Sequence, residues 1–294
     1  MFDLRYHVAS LTAVFVALVI GILVGIGLSG KGFVNDAERA NLTGRIADLQ
    51  HERDVAKASL DAANRGARAL DDFADAAYPS VVPGRLDGKK VAVLFVGPVD
   101  QGVSFAVGKG VRDAGGTVVR TRSISVPFDI AAVQEGLRGD PAFRRYLGSD
   151  HVGDLGDALA KELAAGGKTP LWDALGKIIV QEREGSATPP ADAVVVVRSA
   201  RPQQGRTKSL LAGLYGGLAR SGVSAVGTEA SNTSPSAIPA FSLAGLSTVD
   251  SVDTSAGRLG LVLLLAGGEP GNYGVAETAT DGVLPAITSV PPQG

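Results

Sequence analysis

The sequence predicts an α/β protein in three parts: a single N-terminal transmembrane helix, a coiled-coil helix, and a Rossmann-like doubly wound parallel-sheet domain with a helical insertion. Three observations predict it. Val8–Leu28 holds no charged side chain. From Leu42 to Leu70 the seam residues recur at alternating spacings of four and three. Beyond Lys89, short β-branched runs alternate with helical stretches. The expected boundaries are 1–32 for the anchor, 33–77 for the stalk, 78–88 for a linker, 89–266 for the α/β domain and 267–294 for an irregular tail.

The 21 residues of Val8–Leu28 rise about 31 Å as a helix, which matches a hydrocarbon core of about 30 Å. A cleaved signal peptide is the competing reading, but its apolar region is shorter, about 7–15 residues. Arg5 precedes the span and Lys31 and Arg39 follow it, so charge biases orientation little. The expectation is N-terminus inside and the bulk of the chain outside. Ala9, Ala13, Ala17, Gly21 and Gly25 recur at every fourth position and end in a GxxxG pair. Small residues on one face let helix backbones approach in lipid, so this stripe predicts helix pairing.

After the Gly30–Gly32 break, Leu42, Ile46, Leu49, Arg53, Ala56, Leu60, Ala63, Ala67 and Leu70 form the seam of a heptad repeat. Ile46, Arg53, Leu60 and Ala67 occupy a, and Leu49, Ala56, Ala63 and Leu70 occupy d. In a parallel dimer Glu52 at g faces Lys57 at e of a second copy. Arg53, the alanines, Gly44 and Gly66 weaken this seam, and each glycine costs about 1 kcal/mol of helix propensity. Tethering by paired anchors raises the local concentration of the stalks. Pro79 and Pro83 end the helix in this reading, leaving Tyr78–Asp87 as linker.

Lys90–Val96 is apolar on both faces, as a central parallel strand requires. A helix over Val103–Asp113 and a strand over Thr117–Ser123 complete a βαβ unit. A helical insertion covers about 129–184, with Asp129, Asp140 and Pro141 as start signals. Further strands are expected at Ala193–Val197, Val223–Gly227 and Gly245–Asp250, with helices at Lys208–Arg220 and Ser255–Ala266. Asp253 and Thr254 suit the N-cap of the last helix.

The composition excludes several chemistries. With 28 basic and 30 acidic residues the formal charge is −2, which argues against a phosphate-neutralising nucleic-acid binder. Zero cysteines exclude disulfides and thiolate metal sites, and Met1 is the one methionine. His7, His51 and His151 fall in three different structural contexts. The turn Gly97–Gly102 has phosphate-loop glycine spacing, but Val103-Ser104 replaces the lysine, so an ordinary strand-to-helix turn is expected. Neither G-x-S-x-G nor H-E-x-x-H occurs. Asp250 and Asp253 read as helix-capping residues ahead of an acid/base or metal pair. No enzyme is expected, and no cofactor.

Three sets of residues resemble the actinobacterial MctB family, described as copper transporters. They are Leu4–Leu11 (LRYHVASL), Phe95–Pro98 (FVGP), and Ser247–Arg258 (STVDSVDTSAGR) with Asn272–Gly274 (NYG). Asp250, Asp253, Thr254 and Arg258 lie in the third. The resemblance spans almost the whole chain and implies a role in copper export or homeostasis at the envelope. Related SteB members look like scaffolds that work with a membrane partner to control cell-wall hydrolysis during cell separation. The family carries no ligand residue onto a position here, so copper enters through resemblance alone. The partners implied are the lipid bilayer, a second copy of the chain, and an envelope or membrane protein.

Overall fold

The computed structural model describes residues 4–29 and 36–287. The Gly30–Gly32 break and the tail residues 288–294 lie outside them. The chain divides into two compact units, Met1–Gly66 and Ala67–Gly294.

In the first unit, helix α1 (Leu4–Ser29) is long and apolar enough over Tyr6–Gly27 to cross a membrane, and its apolar window is wholly unburied. Of the hydroxyls inside it, that of Thr12 donates to the Val8 carbonyl at 2.8 Å. That bond satisfies a hydroxyl that lipid would otherwise leave unpaired. Ala13, Ala17, Gly21 and Gly25 lie exposed on this helix. Helix α2 (Asp36–Val81) begins in the same unit, where the seam residues Leu42, Ile46, Leu49 and Leu60 are all more than half exposed. Leu70, beyond the unit boundary, is half-buried.

The expected linker is corrected: α2 runs through Pro79 to Val81. Proline removes a single helical donor, and the ladder resumes with the Val82 N–H donating to Tyr78 O at 3.0 Å. Ala74, Val82 and Leu86 are buried, so burial holds this segment in place where local propensity argues for a break.

The second unit continues as β1 (Lys90–Val96), α3 (Gln101–Asp113), β2 (Thr117–Ile124), α4 (Ile130–Arg138), two 3-10 turns, α5 (Val152–Ala165), α6 (Pro170–Ala174) and α7 (Gly176–Ile179). Then follow β3 (Val180–Gly185), β4 (Ala193–Arg198), α8 (Gly205–Ala219), β5 (Ser224–Thr228), α9 (Ile238–Leu243), β6 (Ser247–Val249), α10 (Ser255–Leu265) and β7 (Asn272–Tyr273). They form one mixed α/β fold whose seven-stranded sheet has the order β3-β2-β1-β4-β5-β6-β7. All pairings are parallel except β2 with β3. Strands β1 and β4 are buried on both faces, which explains their unbroken apolar runs. Ala92, Leu94 and Val96 point into one core with α5 and α8; Val91, Val93 and Phe95 point into another with α3 and α10.

Two strands depart from expectation. The insertion ends in β3, an antiparallel edge strand reading VQEREG that is exposed along nearly its whole length. Its charges conceal it from hydrophobic periodicity, and the same charges discourage edge-to-edge aggregation. The expected irregular tail contributes β7, which pairs in parallel with β6.

Helices α5 and α8 cross at glycines. A Cβ on Gly213 would sit 2.0 Å from the Gly153 carbonyl oxygen, a backbone atom that cannot rotate away. We expect Gly213→Ala to cost about 2 kcal/mol through overpacking. In thermal unfolding this reads as a Tm about 4–8 °C lower for a unit of this size. An unchanged Tm would show that the crossing relaxes freely.

Candidate functional site

The Thr248–Arg258 string occupies the end of β6, a tight turn and the start of α10, and its hydrogen bonds show why it has this composition. Thr248 Oγ1 donates to Asn272 Oδ1 at 2.9 Å, and the Asp250 N–H donates to Tyr273 O at 3.1 Å. Asp250, only 2% exposed, accepts the Val275 and Ala276 N–H groups at 3.0 Å each. Its carboxylate lies against Gly274, at φ 141°, where a Cβ would fall 2.1 Å from it. Asp250 and the Asn272–Gly274 string are therefore one structural device.

Asp253 has a different role. It accepts both the N–H and the hydroxyl of Ser231 at 2.7 Å, fixing the loop after β5. The side chain that caps α10 belongs to Thr254, whose Oγ1 accepts the Gly257 N–H at 3.1 Å. Capping by Asp250 and Asp253 is thus corrected: their oxygens satisfy neighbouring loops, and the threonine alone serves the helix. Ser251 turns the chain at φ 53°, in the left-handed region.

Arg258 and Ser255 reach the final turns of α2. Ser255 Oγ donates to Asp75, and Arg258 donates to Ser255 Oγ at 2.7 Å and to the Asp253 carbonyl at 2.8 Å. The Arg258 guanidinium and the Lys109 ammonium each lie 5.9 Å from the Tyr78 ring centroid. Burial, followed by the nearby Asp113 carboxylate, pushes the Tyr78 phenol up to about 12. The string clasps the end of α2 to the α/β body, a role hidden when Tyr78–Asp87 is read as linker.

A second feature lies at the carboxyl ends of β1 and β4, where the strand order reverses. The turn Gly97–Gly102 behaves as an ordinary strand-to-helix connection, with Asp100 Oδ1 accepting the Val103 N–H at 3.0 Å. Beside it a crevice of about 180 Å³ is lined by Asp100, Arg198, Ser199, Arg201, Asn232 and Thr233, among others. Arg198 is 8% exposed; its Nη2 donates to Pro235 O at 2.5 Å, and its Nε has no acceptor. Glu229, also buried, accepts from Ser236 Oγ at 2.6 Å and from the Ala237 N–H. Desolvation raises the Glu229 carboxyl above the usual range, with Ser236, Ala237 and Arg198 opposing it. The sequence signal for this crevice is a charge bias: Ala193–Thr228 holds five basic residues and no acid.

The histidines remain dispersed. His7 lies on α1 and His51 on α2, while His151 Nδ1 meets Asp154 Oδ2 at 3.0 Å. Among the described residues no three His, Cys, Asp or Glu side chains gather as a metal site.

The family described as "Copper transport outer membrane protein, MctB" matches residues 1–284. The chain belongs to the MctB family. The protein named "Copper transporter MctB" in Mycobacterium tuberculosis H37Rv is 28% identical over 312 residues, covering 95% of this chain and 98% of the relative. Its namesake in Mycobacterium leprae is 29% identical over 325 residues, covering 97% and 100%. Both alignments therefore take in nearly the whole of each chain. The MctB membership supports a copper-related envelope role, and α1 is the candidate membrane segment.

Proposed function

We propose that this MctB-family chain is a single-pass, non-enzymatic envelope protein. In this reading two copies pair through α1 and the α2 seam, and each presents a Rossmann-like head on the outer side. It serves copper handling by gathering a transporting or storing partner. The observation that carries the reading is the pairing of one membrane-length apolar helix with an exposed heptad seam. A single helix encloses no lumen, so a path for the ion requires further helices or a closed barrel. The donor set agrees, because Cu(I) favours sulfur ligands and the chain offers no Cys and one Met.

The cysteine-free sequence makes a direct test clean. In full-length protein in its native membrane, Ala63→Cys at d should oxidise to a covalent dimer. Ala58→Cys at f, the same substitution on the outer face of the repeat, should remain without a covalent cross-link. Equal cross-linking at both positions would refute the seam. A deletion strain should be hypersensitive to copper and be rescued by the full chain. Unaltered copper tolerance with a cell-separation defect would instead favour the scaffold role in cell-wall remodelling, which the clasp between α2 and the head also suits.

A further inference from the structure

The crevice beside β1 and β4 has features that neither anchoring nor pairing requires. The loop forming one wall, Glu229–Ala237, is held from three sides. Asp253 fixes Ser231, Glu229 fixes Ser236 and Ala237, and Arg198 fixes Pro235. Three buried or charged side chains thus hold an open crevice in shape. The guanidinium of Arg198 lies on its wall, nine-tenths buried and with one N–H left without an acceptor. That Nε is closed off from solvent and Nη2 is held by Pro235 O, so Arg198 serves the crevice through its charge.

The charge around the crevice has one dominant sign. Arg201 also lines it, and its guanidinium meets no acid among the described residues. Arg198 and Pro202 continue into an adjoining groove with Gln203 and Lys208, at the start of α8. No side chain caps α8 and its first turn has no acid, so its leading N–H groups favour an anion. Asp100, the single acid on the crevice wall, is engaged by the Val103 N–H. Asn232 and Thr233 add neutral hydrogen-bonding groups on the opposite loop. At about 180 Å³ the crevice has room for a phosphate with a small organic group.

We propose that this crevice binds the phosphate group of a small phosphorylated molecule. Two guanidiniums set the charge, and the planar fork of Arg201 suits bidentate pairing with phosphate oxygens. The Gly97–Gly102 turn contributes Asp100 to the wall, but the donors come from the end of β4 and from the loops after β4 and β5.

The test uses full-length protein in detergent micelles, at ionic strength fixed with potassium chloride, and observes ³¹P line broadening. Inorganic phosphate and glycerol 3-phosphate are titrated separately. Both should broaden saturably, with glycerol 3-phosphate the tighter; tighter binding of inorganic phosphate would overturn the organic part of the proposal. Arg201→Ala, an exposed change, should weaken binding about tenfold or more. Lys168→Ala, which removes the same charge elsewhere, should leave it unchanged. Arg198→Gln should abolish binding, and if circular dichroism shows that variant unfolded, Arg201→Ala decides alone. Broadening that never saturates, or that survives Arg201→Ala, overturns the site.

Discussion

Replacing Asp250 by alanine should lower the stability of the α/β unit by about 3 kcal/mol, because the Val275 and Ala276 N–H groups lose a charged acceptor that is itself buried. For a unit of this size that is a fall in Tm of about 10 °C. The loss is not the full sum of two charge-assisted bonds. Asp250 also raises the Glu229 carboxyl through its charge, so its removal relieves a nearby buried acid. The hydrogen bonds still dominate, since that repulsion is the smallest of the influences on Glu229. Asp250→Asn keeps one acceptor oxygen but turns an amide donor toward the second N–H, so it should retain roughly half the stability difference. The segment after Gly274 should also become cleavable by protease, because Val275 and Ala276 lose the group that holds them. A Tm within about 2 °C of the parent would show that water replaces the carboxylate at little cost.

The central strands were legible because burial on both faces leaves a continuous apolar run, as in β1 and β4. The edges were not. Strand β3 gains its place from backbone pairing with β2 while its side chains face solvent, so its sequence carries no hydrophobic pattern. Strand β7 is two residues long, too short for any period to register. The end of α2 misleads for another reason: Pro79 and Pro83 argue locally for a break, whereas contacts made by Tyr78, Val82 and Leu86 decide the structure.

The candidate site divides in the same way. Thr254 as a cap follows from its position ahead of an apolar helix. The partners of Asp250 and Asp253 lie 25 and 22 residues away, at Val275 and Ser231, and no local spacing encodes them. Arg198 ends an apolar strand and reads as a simple boundary residue. Its importance follows from Pro235, 37 residues further along the chain, whose carbonyl accepts its N–H and brings the guanidinium to the crevice wall.

Under the proposed pairing of two copies through α2, Leu49→Asp combined with Leu60→Asp should remove the contact almost entirely. In the Ala63→Cys background, cross-linking should fall at least about tenfold, to the level given by Ala58→Cys, since each change places a charge where a packed side chain is required. The anchors argue against reading this result from mass alone. If the α1 stripe of Ala13, Ala17, Gly21 and Gly25 still pairs, two chains stay together while their stalks separate, so the local cross-link is the decisive measurement. Arg53 supplies a change of opposite sign. It occupies an a position, lies exposed, and its ion pair is with its own neighbour Asp54, at 2.8 Å. Arg53→Leu replaces a seam charge by an apolar knob, and cross-linking at Ala63→Cys should rise. Helix propensity differs little between arginine and leucine, so a rise cannot come from a stiffer isolated helix. Opposite responses at Leu49/Leu60 and at Arg53 require that these positions face another copy; equal responses would place α2 against something other than itself.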